Sequence, residues 1–369
     1  MKLLLLSDPN SPHTIKWARS LAENNIEVFI FGIGELSVND YKNYNKIHIE
    51  TLNNKIIKKE GSIKKIKYLK ALPSLRSIIK KFKPNILHAH YASSYGILGA
   101  LSGFHPFILS VWGSDVYTFP QKSFLHKEIL KFNLRKSDKI LSTSNIMATE
   151  IKKYTKKEIE ITPFGVDIEH FKPMKVNSVF EEKDIVIGTV KSLEEKYGIE
   201  YLIKAFKIVY DKYPDLPLKL LIVGGGSLEN NLKKKLTKDL NIDKNTIFTG
   251  KVPFNEVSKY QNILTISVTL SIFNSESFGV SVIEAMACEK PVIVSNIGGL
   301  SEVVIDNITG IIVPVKNPDK TAFAIEKLIF NENLRKKLGK AGREHVIKFY
   351  NWELSVKQMI DIYNDILTL

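Results

Sequence analysis

Two carboxylates eight positions apart, Glu276 and Glu284, frame the run ESFGVSVIE, which continues as Ala-Met-Ala-Cys to Cys288. Residues 280–288 are apolar or small on every side except at Glu284, a pattern that predicts a helix enclosed in an α/β core and carrying one charge. A carboxylate in such a place needs polar company, so Glu284 is expected to look along the helix towards hydrogen-bond donors. A paired core acid is the plainer alternative. Glu276 stays behind in the entering loop. If the helix opens near Phe278 or Gly279, Glu284 lies roughly 7 to 9 Å along its axis. Residues 291–295 (PVIVS) then read as a buried parallel strand, and residues 296–302 turn out of it through Gly298 and Gly299 into another helical segment. Two adjacent strand-turn-helix corners offer backbone N–H groups at helix N-termini, an anion site whose usual guest is a diphosphate. With a carboxylate on either side to accept hydroxyl hydrogens, the arrangement suits a nucleotide sugar.

These residues need a frame, and alternation along the chain supplies one. Strand patterns fall near residues 2–6, 27–31, 86–88, 107–110 and 139–142, with helical patterns at 13–24, 72–82, 93–102 and 123–135. The second half repeats the strands at 185–189, 219–223, 246–249, 263–270 and 291–295. Such alternation implies parallel, doubly wound sheets. At 369 residues the chain exceeds what one core usually serves, so two domains are expected, parting within residues 163–183, where the polar, proline-bearing stretch reads as linker. A ligand is expected in the cleft between them.

Composition excludes several classes. With 44% hydrophobic and 25% charged residues the chain looks like an ordinary water-soluble protein. Its single cysteine, Cys288, rules out a disulfide framework and fits a reducing, cytoplasmic compartment. No run approaches the ~20 apolar residues of a membrane span, and residues 3–6 stop too soon for a signal peptide. The net charge of +14 is uneven: residues 1–175 hold 28 Lys/Arg against 15 Asp/Glu, residues 176–369 hold 25 against 24. Residues 55–83 interleave eleven basic residues with apolar ones, a candidate for an anionic membrane surface and equally a solvated lysine-rich face. His88 and His90 in HAHY point to one side of a strand, more in the manner of a hydrogen-bonded structural pair than of a metal site.

The segments TPFGVDIEHFKP (162–173), VKSLEEKYGIEYLIKAF (190–206), LLIVGGGSLENNL (220–232), the Glu276 to Glu284 element, PVIVSNIGGLSEVV (291–304) and DNITGIIVP (306–314) together resemble the family 4 retaining glycosyltransferases. The resemblance covers nearly the whole chain and implies the GT-B fold, two Rossmann-like doubly wound domains facing a central cleft. It implies an acceptor domain at residues 1–170, a nucleotide-sugar domain at 171–350, and a C-terminal helix at 351–369 crossing back to the first. Carried over by position, it makes Glu276 a ligand of donor sugar hydroxyls and Glu284 of the ribose. The backbone at Phe278, Gly279, Val280, Gly298 and Gly299 would meet the sugar and diphosphate, that at Lys251 and Val252 the nucleobase. Lys196 and Lys191, the latter where many relatives have arginine and with Ser192 as a rival for that position, would neutralise the leaving diphosphate.

Fixed ammonium groups and helix N-termini aimed at the leaving oxygens lower the barrier to breaking an anomeric bond, so neither metal nor other cofactor is expected. No Asp-x-Asp metal motif occurs. In the first domain many relatives have histidine where this chain has Trp112, which removes acid/base chemistry there and leaves His13 and Asp115 as polar candidates on the acceptor side. The expected activity is transfer of a hexose-type sugar from a UDP or GDP donor to a lipid-linked or polysaccharide-precursor acceptor. The protein would be cytoplasmic, at the inner face of the cell membrane if the basic half binds lipid, with no nucleic-acid partner. Release of a free epimerised sugar would instead mark a nucleotide-sugar 2-epimerase of the same fold, and loss of turnover with retained binding a non-catalytic protein.

Overall fold

A computed structural model of the chain describes residues 1–52 and 68–368, apart from the side chains of residues 234 and 235. The chain forms two compact units, Met1–Pro163 with Ser355–Leu369, and Phe164–Leu354. The first holds β1 (Lys2–Leu6), β2 (Glu27–Ile33), β3 (Ile47–Leu52), β4 (Ile86–His90), β5 (Phe107–Val111), β6 (Lys139–Ser142) and β7 (Glu160–Ile161) in one sheet ordered β3-β2-β1-β4-β5-β6-β7. The second holds β8 (Ile185–Val190), β9 (Leu218–Val223), β10 (Thr246–Gly250), β11 (Ile266–Thr269), β12 (Val292–Ser295) and β13 (Ile311–Val313), ordered β10-β9-β8-β11-β12-β13. Every pairing between these strands is parallel. Both units are therefore doubly wound and Rossmann-like, and in each the strand order reverses beside the first strand, between β1 and β4 and between β8 and β11. That is the place where the crevice of such a sheet opens at the carboxyl ends of its strands.

The reason these segments are strands is burial on both faces. Leu3, Leu4, Leu5 and Leu6 are all fully buried, each worth ~1.5–3 kcal/mol relative to exposure. The leucine run that opens the chain is thus the central strand of the first sheet, with Leu3 in register with both Val28 and Ile86. The strand expected at 263–270 is shorter, because Ile263 closes the preceding helix Phe254–Ile263 and Leu264 caps it. The apolar Ile263 and Leu264 run straight on into the strand and hide that change of period. Strands β3, β7 and β13 were not expected. The first is an edge strand whose His48 and Glu50 are exposed, and the other two are only two and three residues long.

Of the basic stretch at 55–83, residues 53–67 lie outside the described residues. Its remainder is the helix Leu72–Phe82, where Leu75, Ile78 and Phe82 pack into the core while Arg76, Lys80, Lys81 and Lys83 are exposed. The apolar face of that helix packs into its own domain and its basic side chains are exposed. In the last helix, Trp352–Thr368, Met359, Ile362 and Tyr363 are buried whereas Leu354 is exposed. The Gln358 amide donates to the Ile161 carbonyl at 2.8 Å, and the Tyr363 hydroxyl is hydrogen-bonded to His88 at 2.7 Å. No helix among the described residues is long and apolar enough to cross a membrane.

Candidate functional site

In the second unit the chemistry gathers where the sheet order reverses. Lys191 follows the last residue of β8 and sends its Nζ to Glu276 Oε2 at 3.0 Å, with only 11% and 10% of the two side chains exposed. Glu276 lies in the loop after β11. The same carboxylate oxygen accepts from the Ser271 hydroxyl at 2.9 Å, and the Ser271 carbonyl accepts from Ser295 Oγ at 2.6 Å, which fixes the carboxylate to the ends of β11 and β12. Lys196, in the tight turn Glu195–Tyr197, is anchored by Ile272 N–H donating to its carbonyl at 2.8 Å. Both lysines lie over the Tyr197 ring, Lys191 Nζ at 4.4 Å and Lys196 Nζ at 4.6 Å from its centroid, so one aromatic ring steadies both cations. Burial raises the Tyr197 hydroxyl's pKa above the ordinary tyrosine value. Ser192, the rival for the arginine position, is exposed, whereas Lys191 reaches the acid.

Close backbone approach explains two of the glycine positions. Gly224 has φ +137, and a Cβ there would stand 2.0 Å from the Lys191 carbonyl oxygen, so the Gly224 turn can press against the Lys191 turn only without a side chain. Gly298, at φ +51, would place a Cβ 2.3 Å from the Glu276 carbonyl oxygen. Gly299 N–H donates to that same carbonyl at 2.8 Å. That hydrogen bond braces the Glu276 loop. Gly279 caps the helix Val280–Ala287 and its carbonyl already accepts from Val282 N–H at 2.9 Å, which leaves Val280 N–H and Ser281 N–H as the donors without an acceptor inside the helix, close in the chain to the Glu276 loop. Glu284 is buried within that helix, and the Phe278 ring packs on Phe164 and Tyr350, so Phe278 has only its backbone to offer a ligand. Lys251 is exposed beside the Gly225 turn, and Val252 packs against the buried cluster of Val186, Leu221, Val223 and Leu264. The residues assigned to the diphosphate and sugar are thus gathered at one sheet end. Ser271 and Tyr197 were missed by sequence reasoning; the signals available were a hydroxyl ending an apolar strand run and an aromatic ring adjoining Lys196.

The corresponding point of the first unit has a different character. Ser7, just past β1, is hydrogen-bonded to Thr14 at 2.7 Å and to His90 Nδ1 at 3.0 Å. His88, one pleat before it on β4, is bonded through Nδ1 to Tyr363 and through Nε2 to Ser110 at 2.8 Å. The two histidine rings meet edge to face at 4.9 Å and are bonded to separate partners rather than to each other. Burial lowers His13 to about 4, His88 to about 3 and His90 well below the ordinary value, so all three are neutral at pH 7. Trp112 lies against His90 with ring centroids 4.4 Å apart, and His13 and Tyr91 each approach it at 5.7 Å. Asp115 is buried. Its carboxylate accepts from the N–H groups of Ala92 at 2.7 Å, Gly113 at 2.8 Å and Trp112 at 3.2 Å, and burial raises its pKa. It acts on the Trp112 loop as a clamp.

Residues 171–345 match the glycosyl transferases group 1 family and residues 2–144 the glycosyl transferase 4-like family. An uncharacterised glycosyltransferase of Methanocaldococcus jannaschii is 30% identical over 295 residues, 79% of this chain and 78% of that protein. Several other curated relatives are spanned over about half their length, among them a D-inositol 3-phosphate glycosyltransferase of Corynebacterium urealyticum, 30% identical, over 57% of this chain and 51% of that protein. Among solved structures, a sucrose-phosphate synthase of Thermosynechococcus elongatus superposes with a TM-score of 0.84 at 20% identity, covering 100% of this chain and 99% of that one. Anabaena HepE, solved with UDP-glucose, superposes with a TM-score of 0.78 at 15% identity over 99% of this chain and 100% of its own.

Proposed function

We propose that this chain, which belongs to the GT-B glycosyltransferases, moves a hexose-type sugar from a nucleotide diphosphate sugar to an acceptor, with retention of anomeric configuration and without a bound metal. The observation that carries this reading is the Lys191–Glu276 pair, held by Ser271 and Tyr197 beside a helix N-terminus where the sheet order reverses. Breaking the anomeric C–O bond builds negative charge on the diphosphate as the sugar becomes cationic. Ammonium groups already fixed at Lys191 and Lys196, with the first-turn N–H groups of the Val280 helix, oppose that charge without reorganising. The same lysines supply the positive charge that a metal would bring. Glu276, nearly buried and fixed at one oxygen, is suited to accept from sugar hydroxyls, and Glu284 from the ribose. Departure and attack on one face of the sugar need no enzymic nucleophile.

Uridine nucleotides are the first donors to test, since HepE binds UDP-glucose in the same fold. A lipid-linked or polysaccharide-precursor acceptor, met at an anionic membrane surface during cell-surface glycan synthesis, is the reading that the positive balance of residues 1–175 favours. Thermal unfolding with UDP and GDP sugars, with and without a chelator, should show a chelator-insensitive stabilisation by one nucleotide class. In Glu276→Ala, sugar transfer should fall ~100-fold or more; full activity in that variant would overturn the role given to Glu276.

A further inference from the structure

We propose that Trp112 is a stacking platform for the C–H face of a neutral sugar ring on the acceptor, an inference that rests on the glycosyltransferase reading above and gives its acceptor a chemical class. The indole sits just past β5, beside the reversal between β1 and β4, where the carboxyl ends of a doubly wound sheet receive ligands. His90 lies against it at 4.4 Å and 35°, and His13 and Tyr91 flank it at 69°. The indole is only partly buried.

The platform is built rather than incidental. Asp115 ties the loop of Trp112 and Gly113 to the loop of Ala92 through three N–H groups, and the Asn133 amide donates to the Ala92 carbonyl at 2.8 Å. Tyr91 is held at φ +75, a left-handed conformation that a residue with a side chain adopts only when its surroundings impose it, and such strain gathers at functional sites. The chemistry selects the ligand. An aromatic face is electron-rich and attracts the weakly positive C–H groups on one face of a pyranose. The flanking imidazole and phenol groups can exchange hydrogen bonds with hydroxyls projecting from the ring edge, which an alkyl chain lacks. The aromatic groups around the indole carry no formal charge at neutral pH, so the surface they make suits a neutral ring.

The test uses the full-length protein saturated with the nucleoside diphosphate, UDP or GDP, that stabilises it. Saturation-transfer NMR would measure binding of methyl glucoside, methyl galactoside and methyl N-acetylglucosaminide. At least one should bind through the protons of one ring face, about tenfold more weakly in Trp112→Ala and within about threefold in Trp112→Phe, which keeps an aromatic face. Nucleotide stabilisation should be the same in all three proteins. Unchanged glycoside binding in Trp112→Ala, equal loss in Trp112→Phe, or tighter binding of hexyl alcohol or glucose 6-phosphate than of every methyl glycoside overturns the platform while nucleotide binding persists. Absence of nucleotide stabilisation in the wild-type protein would overturn the donor reading instead.

Discussion

The two sheets reverse their strand order in the same way, yet the residues at the two reversals are opposites. In the second unit a nearly buried ammonium and carboxylate meet at 3.0 Å with a second lysine one ring away. In the first, three neutral histidines, hydroxyls and an indole fill the equivalent place, and its buried carboxylate, Asp115, is consumed by backbone N–H groups. One topology thus supports a charged site and an uncharged one, because the fold fixes only where strand ends converge. What converges there is decided by the few residues just past each strand.

That contrast can be broken at its charged side first. Replacing Lys191 and Lys196 together by methionine should lower turnover by ~10²–10³ and weaken nucleoside diphosphate binding far more than nucleoside monophosphate binding, as removal of preorganised charge does. An equal loss for both nucleotides would show that the lysines only hold the loop. Gly298→Ala should come next, costing ~1–3 kcal/mol in denaturant unfolding together with activity, since a Cβ would strike the Glu276 carbonyl.

The uncharged side makes a prediction about pH. The unfolded chain protonates its histidines near pH 6.5, whereas burial holds His13 to about 4 and His88 to about 3. Unfolding therefore takes up protons as pH falls from 6.5 towards 4, and stability drops by about 1.4 kcal/mol per pH unit for each such histidine. In His88→Asn the slope measured over that window should lessen by about one proton; an unchanged slope would mean that His88 is not held neutral. Smallest of all, Ser271→Ala should cost transfer about tenfold, the low end of the worth of one hydrogen bond to a charged group, with the Lys191–Glu276 pair still in place.

Much of this was legible in the residues. The leucine run at 3–6, the strand at 139–142 and the helix at 72–82 all stand where periodicity placed them, because buried parallel strands and amphipathic helices write their burial directly into sequence. The edge strand β3 and the short strands β7 and β13 were not legible, since few residues and half-exposed faces leave no period to read. The Glu276 to Glu284 spacing and the glycine turns marked the charged site. Ser271 and Tyr197 could not be found that way, because the first reaches Glu276 across a loop and the second matters through ring faces turned to two lysines.

The sequence by itself determined two doubly wound domains, the places of Lys191, Lys196, Glu276 and Glu284 along the chain, and the surplus of positive charge in residues 1–175. Only the tertiary structure decided which charges meet: that Lys191 closes on Glu276, that Gly299 N–H is spent on a carbonyl, and that Asp115 clamps the Trp112 loop. The reason is physical. Burial and periodicity are local properties recorded residue by residue, whereas a hydrogen bond or ion pair between segments far apart in the chain exists only once packing has fixed both ends to within a few tenths of an ångström.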